Sequence, residues 1–289
     1  RRVSARPPVA PGEAPILARA LAVLRLYRAV NLAAIAAAAW VGSLLGNAPL
    51  DPTLLLVPVL IGAYGYARND ATDAEPDRWN RPGRPIPAGA LAPRTVLGLA
   101  YLALALAGAL LLARAPGLPW VALAAFAAIL LTAYSPWLKN RGAAGPAAIA
   151  LLSVLAVVWG GLGGSAPGRT LLPAMLAGWA QLARECVKQL EDAPGDRAAG
   201  RATWAVRAGA ARVTAAARIA LLGALLVLPL PVSASGLRAR YFAVALPAAG
   251  LPLLWAFAAL GRPAVSYGRV SAAIKGALFA GLAALAWGA

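Results

Sequence analysis

The chain has 289 residues, of which 61% are hydrophobic and only 13% charged, and it carries a formal net charge of +17. Ordinary globular chains carry roughly 25% charged residues, so this one lacks the polar surface of a water-soluble fold and reads as an all-α, polytopic membrane protein. It has no histidine and a single cysteine, Cys186, which excludes histidine triads, histidine-ligated metals and a disulfide framework.

Residues 1–15 are basic and proline-rich without an apolar run, and are expected to form a flexible cytoplasmic tail. Residues 16–289 are expected to form one transmembrane domain. Nine apolar segments follow in order: 24–46, 52–70, 93–113, 118–138, 144–164, 170–190, 206–230, 238–260 and 267–288. Each is close to the roughly 20 residues a helical span needs. Glycine and proline punctuate the gaps, and the apolar runs are continuous rather than alternating, which excludes a β-barrel. With the N-terminus in the cytoplasm, the outer side holds only Arg114, Arg169, Arg238 and Arg240 of the 27 Lys and Arg. This positive-inside bias explains the basic charge without a nucleic-acid partner. The expected location is therefore the cell membrane, multi-pass, with the cytoplasmic loops basic.

The acidic residues carry the functional signal. There are ten, and eight fall in two short clusters: Asp70, Asp73, Glu75 and Asp77, then Glu185, Glu191, Asp192 and Asp196. Both clusters close even-numbered spans on the same side, where carboxylates are costly and usually functional. Asn69 and Asp73 are four apart and share a helix face. Pro76 is expected to end that helix, leaving Asp77 just beyond it. Glu185, Lys188 and Asp192 likewise share a face, and Pro194 with Gly195 is expected to end the second helix before Asp196. The runs D-A-E-P-D-R at 73–78 and D-A-P-G-D-R at 192–197 lie 119 residues apart, which points to an internal duplication. Two groups of oxygen ligands with Arg and Lys among them suit Mg²⁺ together with a diphosphate. The alternative is an ion-coupled transporter using the aspartates as cation sites. That reading expects carboxylates near the bilayer midplane on broken helices rather than at the ends of spans.

At these residues the sequence resembles the UbiA superfamily of intramembrane prenyltransferases. Its first motif, N-D-x-x-D-x-x-x-D followed by N-x-P-x-R-P-I-P-x-G, stands here as Asn69, Asp70, Asp73, Asp77, Asn80, Pro82, Arg84, Pro85, Ile86, Pro87 and Gly89. The second, D-x-x-x-D, stands as Asp192 and Asp196. Its surroundings (Arg184, Glu185, Lys188, Glu191, Gly195, Gly200, Thr203) are similar to the branch that includes archaeal digeranylgeranylglyceryl phosphate synthases, with Gln189 where that branch has Asp. Tyr134, Ser135, Leu138 and Lys139 resemble the family's Y-S-x-x-L-K, and Arg28 with Asn31 its R-x-x-N.

The resemblance implies a nine-helix bundle around a central cavity, with the active site toward the cytoplasm and motif loops at 69–89 and 185–203. It implies Mg²⁺-dependent transfer of a prenyl group from a prenyl diphosphate to a lipid-soluble or aromatic acceptor, releasing pyrophosphate. Asn69, Asp73, Asp77, Asp192 and Asp196 are then the expected Mg²⁺ ligands, the four aspartates also serving catalysis. Lys139, Arg81 and Arg84 are the expected phosphate contacts, and Glu185 and Lys188, one turn apart, are expected either to pair with each other or to help position substrate. Tyr64, Tyr134 and Ser135 are placed beside the reacting group, the two tyrosines as an electron-rich wall for an allylic cation. Arg28 and Asn31 are expected to hold the acceptor, which the second motif inclines toward a glycerol-phosphate lipid.

Overall fold

A computed structural model describes residues 16–289, with side chains from residue 21; the expected tail lies outside the described residues. All regular structure among the described residues is helical. Helices α1 (Ile16–Tyr27) and α2 (Ala29–Gly46) meet at Arg28, whose left-handed backbone (φ 50°) breaks the first apolar segment. Then come α3 (Pro52–Thr72), α4 (Ala74–Asn80), α5 (Pro93–Arg114), α6 (Leu118–Tyr134), α7 (Ala144–Gly161) and α8 (Leu171–Ala198). The chain continues through α9 (Trp204–Ala208), α10 (Ala210–Val227), α11 (Pro231–Ala234) and α12 (Tyr241–Val244). A π-helical stretch, Ala245–Gly250, runs α12 into α13 (Leu251–Ala259), and α14 (Tyr267–Gly288) closes the fold.

Each expected apolar segment falls on a long helix, with α12 and α13 acting as one. Six are long and apolar enough to cross a membrane: α2, α5, α7, α10, α12–α13 and α14. The apolar helix α6 has 17 residues, and α3 and α8 end in the polar motif residues. Large apolar side chains such as Leu112, Leu118, Ile129 and Leu226 face outward, as lipid contact requires.

Two expected helix ends are corrected. Pro76 does not stop a helix; α3 ends at Thr72, and Pro76 sits in the first turn of α4, where a missing N–H costs nothing. Asp77 is thus helical. Likewise Pro194 and Gly195 lie inside α8, which runs to Ala198 and carries Asp196 on its last turns.

Packing relies on small residues, as expected where lipid removes the hydrophobic drive between helices. Helices α2 and α7 touch backbone to backbone: a Cβ on Gly42 would fall 1.9 Å from the Val157 carbonyl oxygen. A larger core unites α8, α10, α12, α13 and α14 around Val187, Leu221, Leu253 and Ile274. Within it Tyr241 donates its hydroxyl to the Leu228 carbonyl at 2.8 Å, which satisfies its polar end inside that apolar layer.

Candidate active site

A cavity of about 330 Å³ runs through the bundle between α2, α3, α6, α7, α8 and α14. One pole is polar. It is lined by Asn69 and Asp73 from the end of α3, by Arg81 and Arg84 from the loop after α4, and by Lys139 after α6. Lys188, Asp192 and Asp196 of α8 face them, with Thr203 beyond.

The two acidic motifs exchange cations. Asp73, at the end of α3, binds Lys139 at 2.5 Å and Arg201, from the loop after α8, also at 2.5 Å. Asp192 of α8 binds Arg81, from the loop after α4, at 2.6 and 2.9 Å. Each carboxylate is thus neutralised by a basic residue from the other motif's loop. Asp196 accepts from the Thr203 hydroxyl at 3.0 Å. Burial pushes the Asp73 carboxyl up, but Lys139 and Arg201 outweigh it and hold it below the usual carboxylate range. Asp73 therefore presents a formal charge to the cavity. At Asp77 burial prevails over Arg84 and the carboxyl sits above its usual range.

The Asn80 side chain of the first motif loop lies against a glycine of the second. A Cβ on Gly195 would lie 2.0 Å from the Asn80 Oδ1, and Asn80 donates its side-chain amide to the Asp192 carbonyl at 3.2 Å. Gly195→Ala is expected to displace the Asn80 side-chain amide, break its hydrogen bond to the Asp192 carbonyl and lower turnover about tenfold, the worth of one hydrogen bond. Steady-state kinetics on the purified variant check this; turnover within twofold of the parent would show that the Asn80 contact is not needed.

The residues at this pole fit a hard divalent cation. All donors are oxygens and they come in two pairs across the cavity; Asp73 and Asp192 are already held by cations and Asp196 by the Thr203 hydroxyl. Among the described residues no three carboxylates converge into a ready-made cage. Mg²⁺ characteristically takes one or two carboxylates and completes its shell with water and substrate phosphate.

A second polar patch lies toward α14. Arg28 covers the Tyr66 ring at 4.8 Å and pairs with Asp70. Gln181 and Arg184 both donate to Glu185, at 3.0 and 3.3 Å. Lys275 projects from α14 over the Phe279 ring at 6.0 Å and lines the same cavity as Arg184 and Arg28. The buried Arg184 Nε and Gln189 Oε1 have no partner.

Residues 29–267 match the model of the UbiA prenyltransferase family. The chain belongs to this family. A digeranylgeranylglyceryl phosphate synthase of Methanopyrus kandleri is 33% identical over 238 residues, covering 81% of this chain and 86% of that one. Two solved structures share the fold. One comes from work on digeranylgeranylglyceryl phosphate synthase in membranes, with a TM-score of 0.72 and 23% identity over 93% of this chain and 98% of that one. The other is a UbiA homolog from Archaeoglobus fulgidus bound to DMAPP and Mg²⁺, with a TM-score of 0.62 and 18% identity over 91% and 99%. As a UbiA family member the chain is a multi-pass membrane prenyltransferase, and the transporter alternative is set aside.

Against this family frame, the structure brings most of the expected residues to the cavity wall: Arg28, Asn31, Asn69, Asp73, Arg81, Arg84, Tyr134, Lys139, Lys188, Asp192 and Asp196. It does not bring Tyr64, Ser135 or Asp77 there. Tyr64 is buried between α3 and α6, sharing a hydrogen bond with Thr132 at 2.6 Å. Two residues further along α3, about 200° around the helix, Tyr66 faces the cavity instead. Ser135 donates to the Asn69 Oδ1 at 3.2 Å, fixing the orientation of that side chain. Asp77 turns to Arg84, which also lies 3.1 Å from Asp70. Sequence reasoning missed Tyr66, Arg201 and Lys275. For Lys275 a signal existed, since it is a cation eight residues inside the last apolar segment.

Proposed function

We propose that this protein transfers a geranylgeranyl-type group from its diphosphate to a glycerol-phosphate lipid, with Mg²⁺, at the cytoplasmic face of a nine-span bundle. The observation that carries it is the pair of facing, cation-exchanging aspartate motifs closing one end of a cavity whose opposite arm is apolar. The name of the Methanopyrus relative supports the choice of lipid product, and the Mg²⁺ and DMAPP bound to the Archaeoglobus homolog support the metal and donor class.

In this reading Asn69, Asp73, Asp192 and Asp196 hold the metal, with Asp77 acting one shell out through Arg84. The metal, when bound, neutralises charge building on the diphosphate as the allylic C–O bond breaks. Lys139, Arg81, Arg84 and Lys188 supply further positive charge to the phosphates. Their present carboxylate partners keep these side chains ordered before substrate arrives, so little ordering cost remains on binding. Tyr66 and Tyr134 offer ring faces to the developing cation. The second patch of Arg28, Arg184 and Lys275 recognises the acceptor's phosphate. The apolar face of α14 beside it, Leu278 and Leu282, receives the acceptor's hydrocarbon.

The test is product detection by mass spectrometry with purified protein and geranylgeranyl diphosphate. Geranylgeranylglyceryl phosphate and 4-hydroxybenzoate are offered in turn, with Mg²⁺ or EDTA. Product is expected only from the phosphate lipid and only with Mg²⁺. Product from the benzoate alone would overturn the acceptor assignment, and undiminished product in EDTA would overturn the metal.

A further inference from the structure

One apolar arm of the cavity, between α3, α6 and α7, reaches Trp159. Trp159 of α7 is 4% exposed, and its indole Nε1 donates to the Leu54 carbonyl at 3.0 Å, which fixes the ring across the bundle. Trp159 lines the main cavity on one face. On the other it lines a separate small cavity of about 30 Å³, together with Ser43, Asp51, Leu55 and Trp120. The indole is the partition between the two.

We infer that Trp159 is the stop that limits the length of the prenyl donor, at about four isoprene units. The inference rests on the prenyl diphosphate reading of the polar pole. Two helices measure the depth independently. Gly145 marks the phosphate end of α7, since a Cβ there would lie 3.2 Å from the Lys139 Cα. From Gly145 to Trp159 α7 advances 14 residues, about 21 Å at 1.5 Å per residue. From Asn69 back to Leu54, whose carbonyl holds the indole, α3 covers 15 residues, about 22 Å. An extended isoprenyl chain advances four carbon–carbon bonds per unit, roughly 5 Å from bond lengths near 1.5 Å. Four units fill the arm and a fifth meets the indole. Along the way the small residues Gly62, Ala124, Ala127 and Ala156 line the wall beside larger ones such as Ile61, Leu123 and Leu155.

The experiment compares farnesyl, geranylgeranyl, geranylfarnesyl and hexaprenyl diphosphates by kcat/KM for diphosphate release, with one acceptor held saturating. The parent protein is expected to lose about tenfold or more at the five-unit donor, as a pocket without room for added apolar bulk does. Trp159→Ala, which joins the two cavities, is expected to abolish that drop. Trp159→Phe keeps a ring in place and is expected to retain it. Ala124→Leu, on α6 above the indole, is expected to move the limit down to the three-unit donor. A Trp159→Ala protein that turns over farnesyl diphosphate normally and keeps the parent's length profile overturns the inference. If Trp159→Ala does not fold, an unchanged profile in Ala124→Leu overturns it instead. No diphosphate release by the parent from any donor is a different result, and it contradicts the prenyl diphosphate reading itself.

Discussion

Asp192→Ala is expected to reduce turnover by roughly 10²–10³-fold or more, the scale seen when one preorganised group that stabilises transition-state charge is lost. Two roles vanish together. The carboxylate that would share a metal with the diphosphate is gone, and Arg81 loses the partner that holds it 2.6 Å away. Asp73→Ala is expected to lose as much activity, but it also strands Lys139 and Arg201. Breaking a buried pair in this way costs about 3–5 kcal/mol, and the Asp73 side chain is only 4% exposed. Asp192 is 21% exposed and gives the cleaner test. Single-turnover kinetics should be paired with thermal unfolding, and with Asp192→Asn, which keeps the shape and removes the charge. A folded Asp192→Ala protein with near-parent turnover would remove this residue from the chemistry.

Lys275→Met is expected to raise the KM for a phosphate-bearing acceptor about 10- to 100-fold, the worth of one charge-assisted hydrogen bond. The donor's KM should hardly move, because Lys275 lies on α14, away from the facing aspartates. Methionine preserves most of the stem that covers Phe279, so packing is retained. Arg184→Met should behave alike. Steady-state kinetics with each substrate varied in turn separate the two constants. A rise in donor KM with acceptor KM unchanged would move this cation to the diphosphate site.

How much of this was legible in the sequence follows physical lines. The apolar segments were legible because a membrane span has one dominant requirement, length in hydrocarbon, and every expected segment falls on a helix. Helix ends at the motifs were not. Pro76 and Pro194 were both expected to stop a helix, yet one starts a new helix and the other is carried within α8. A proline's effect depends on whether its position needs an N–H, which local sequence does not settle. The aspartate pairs were legible because carboxylates are scarce in so apolar a chain. Their exchange of partners was not: Arg201 reaches Asp73 across 128 positions of sequence. Tyr64 and Tyr66 were equally placed in sequence, and only helix rotation against α6 decides which ring meets the cavity. Trp159 carried no motif at all. Its position between two cavities comes from the packing of α7 against α2 and α6 and one hydrogen bond to α3, which no local pattern encodes.

The most direct measurement is calorimetric binding of geranylgeranyl thiodiphosphate, a slowly reacting donor analogue, to the parent protein and to Asp192→Asn, each in Mg²⁺ and in EDTA. If the facing aspartates hold the donor through a metal, the parent should bind tightly in Mg²⁺ and at least about tenfold more weakly in EDTA. Asp192→Asn should bind weakly in both. Equal parent affinity with and without Mg²⁺, matched by Asp192→Asn, would contradict a metal-bridged diphosphate site and leave the basic side chains alone to hold the donor.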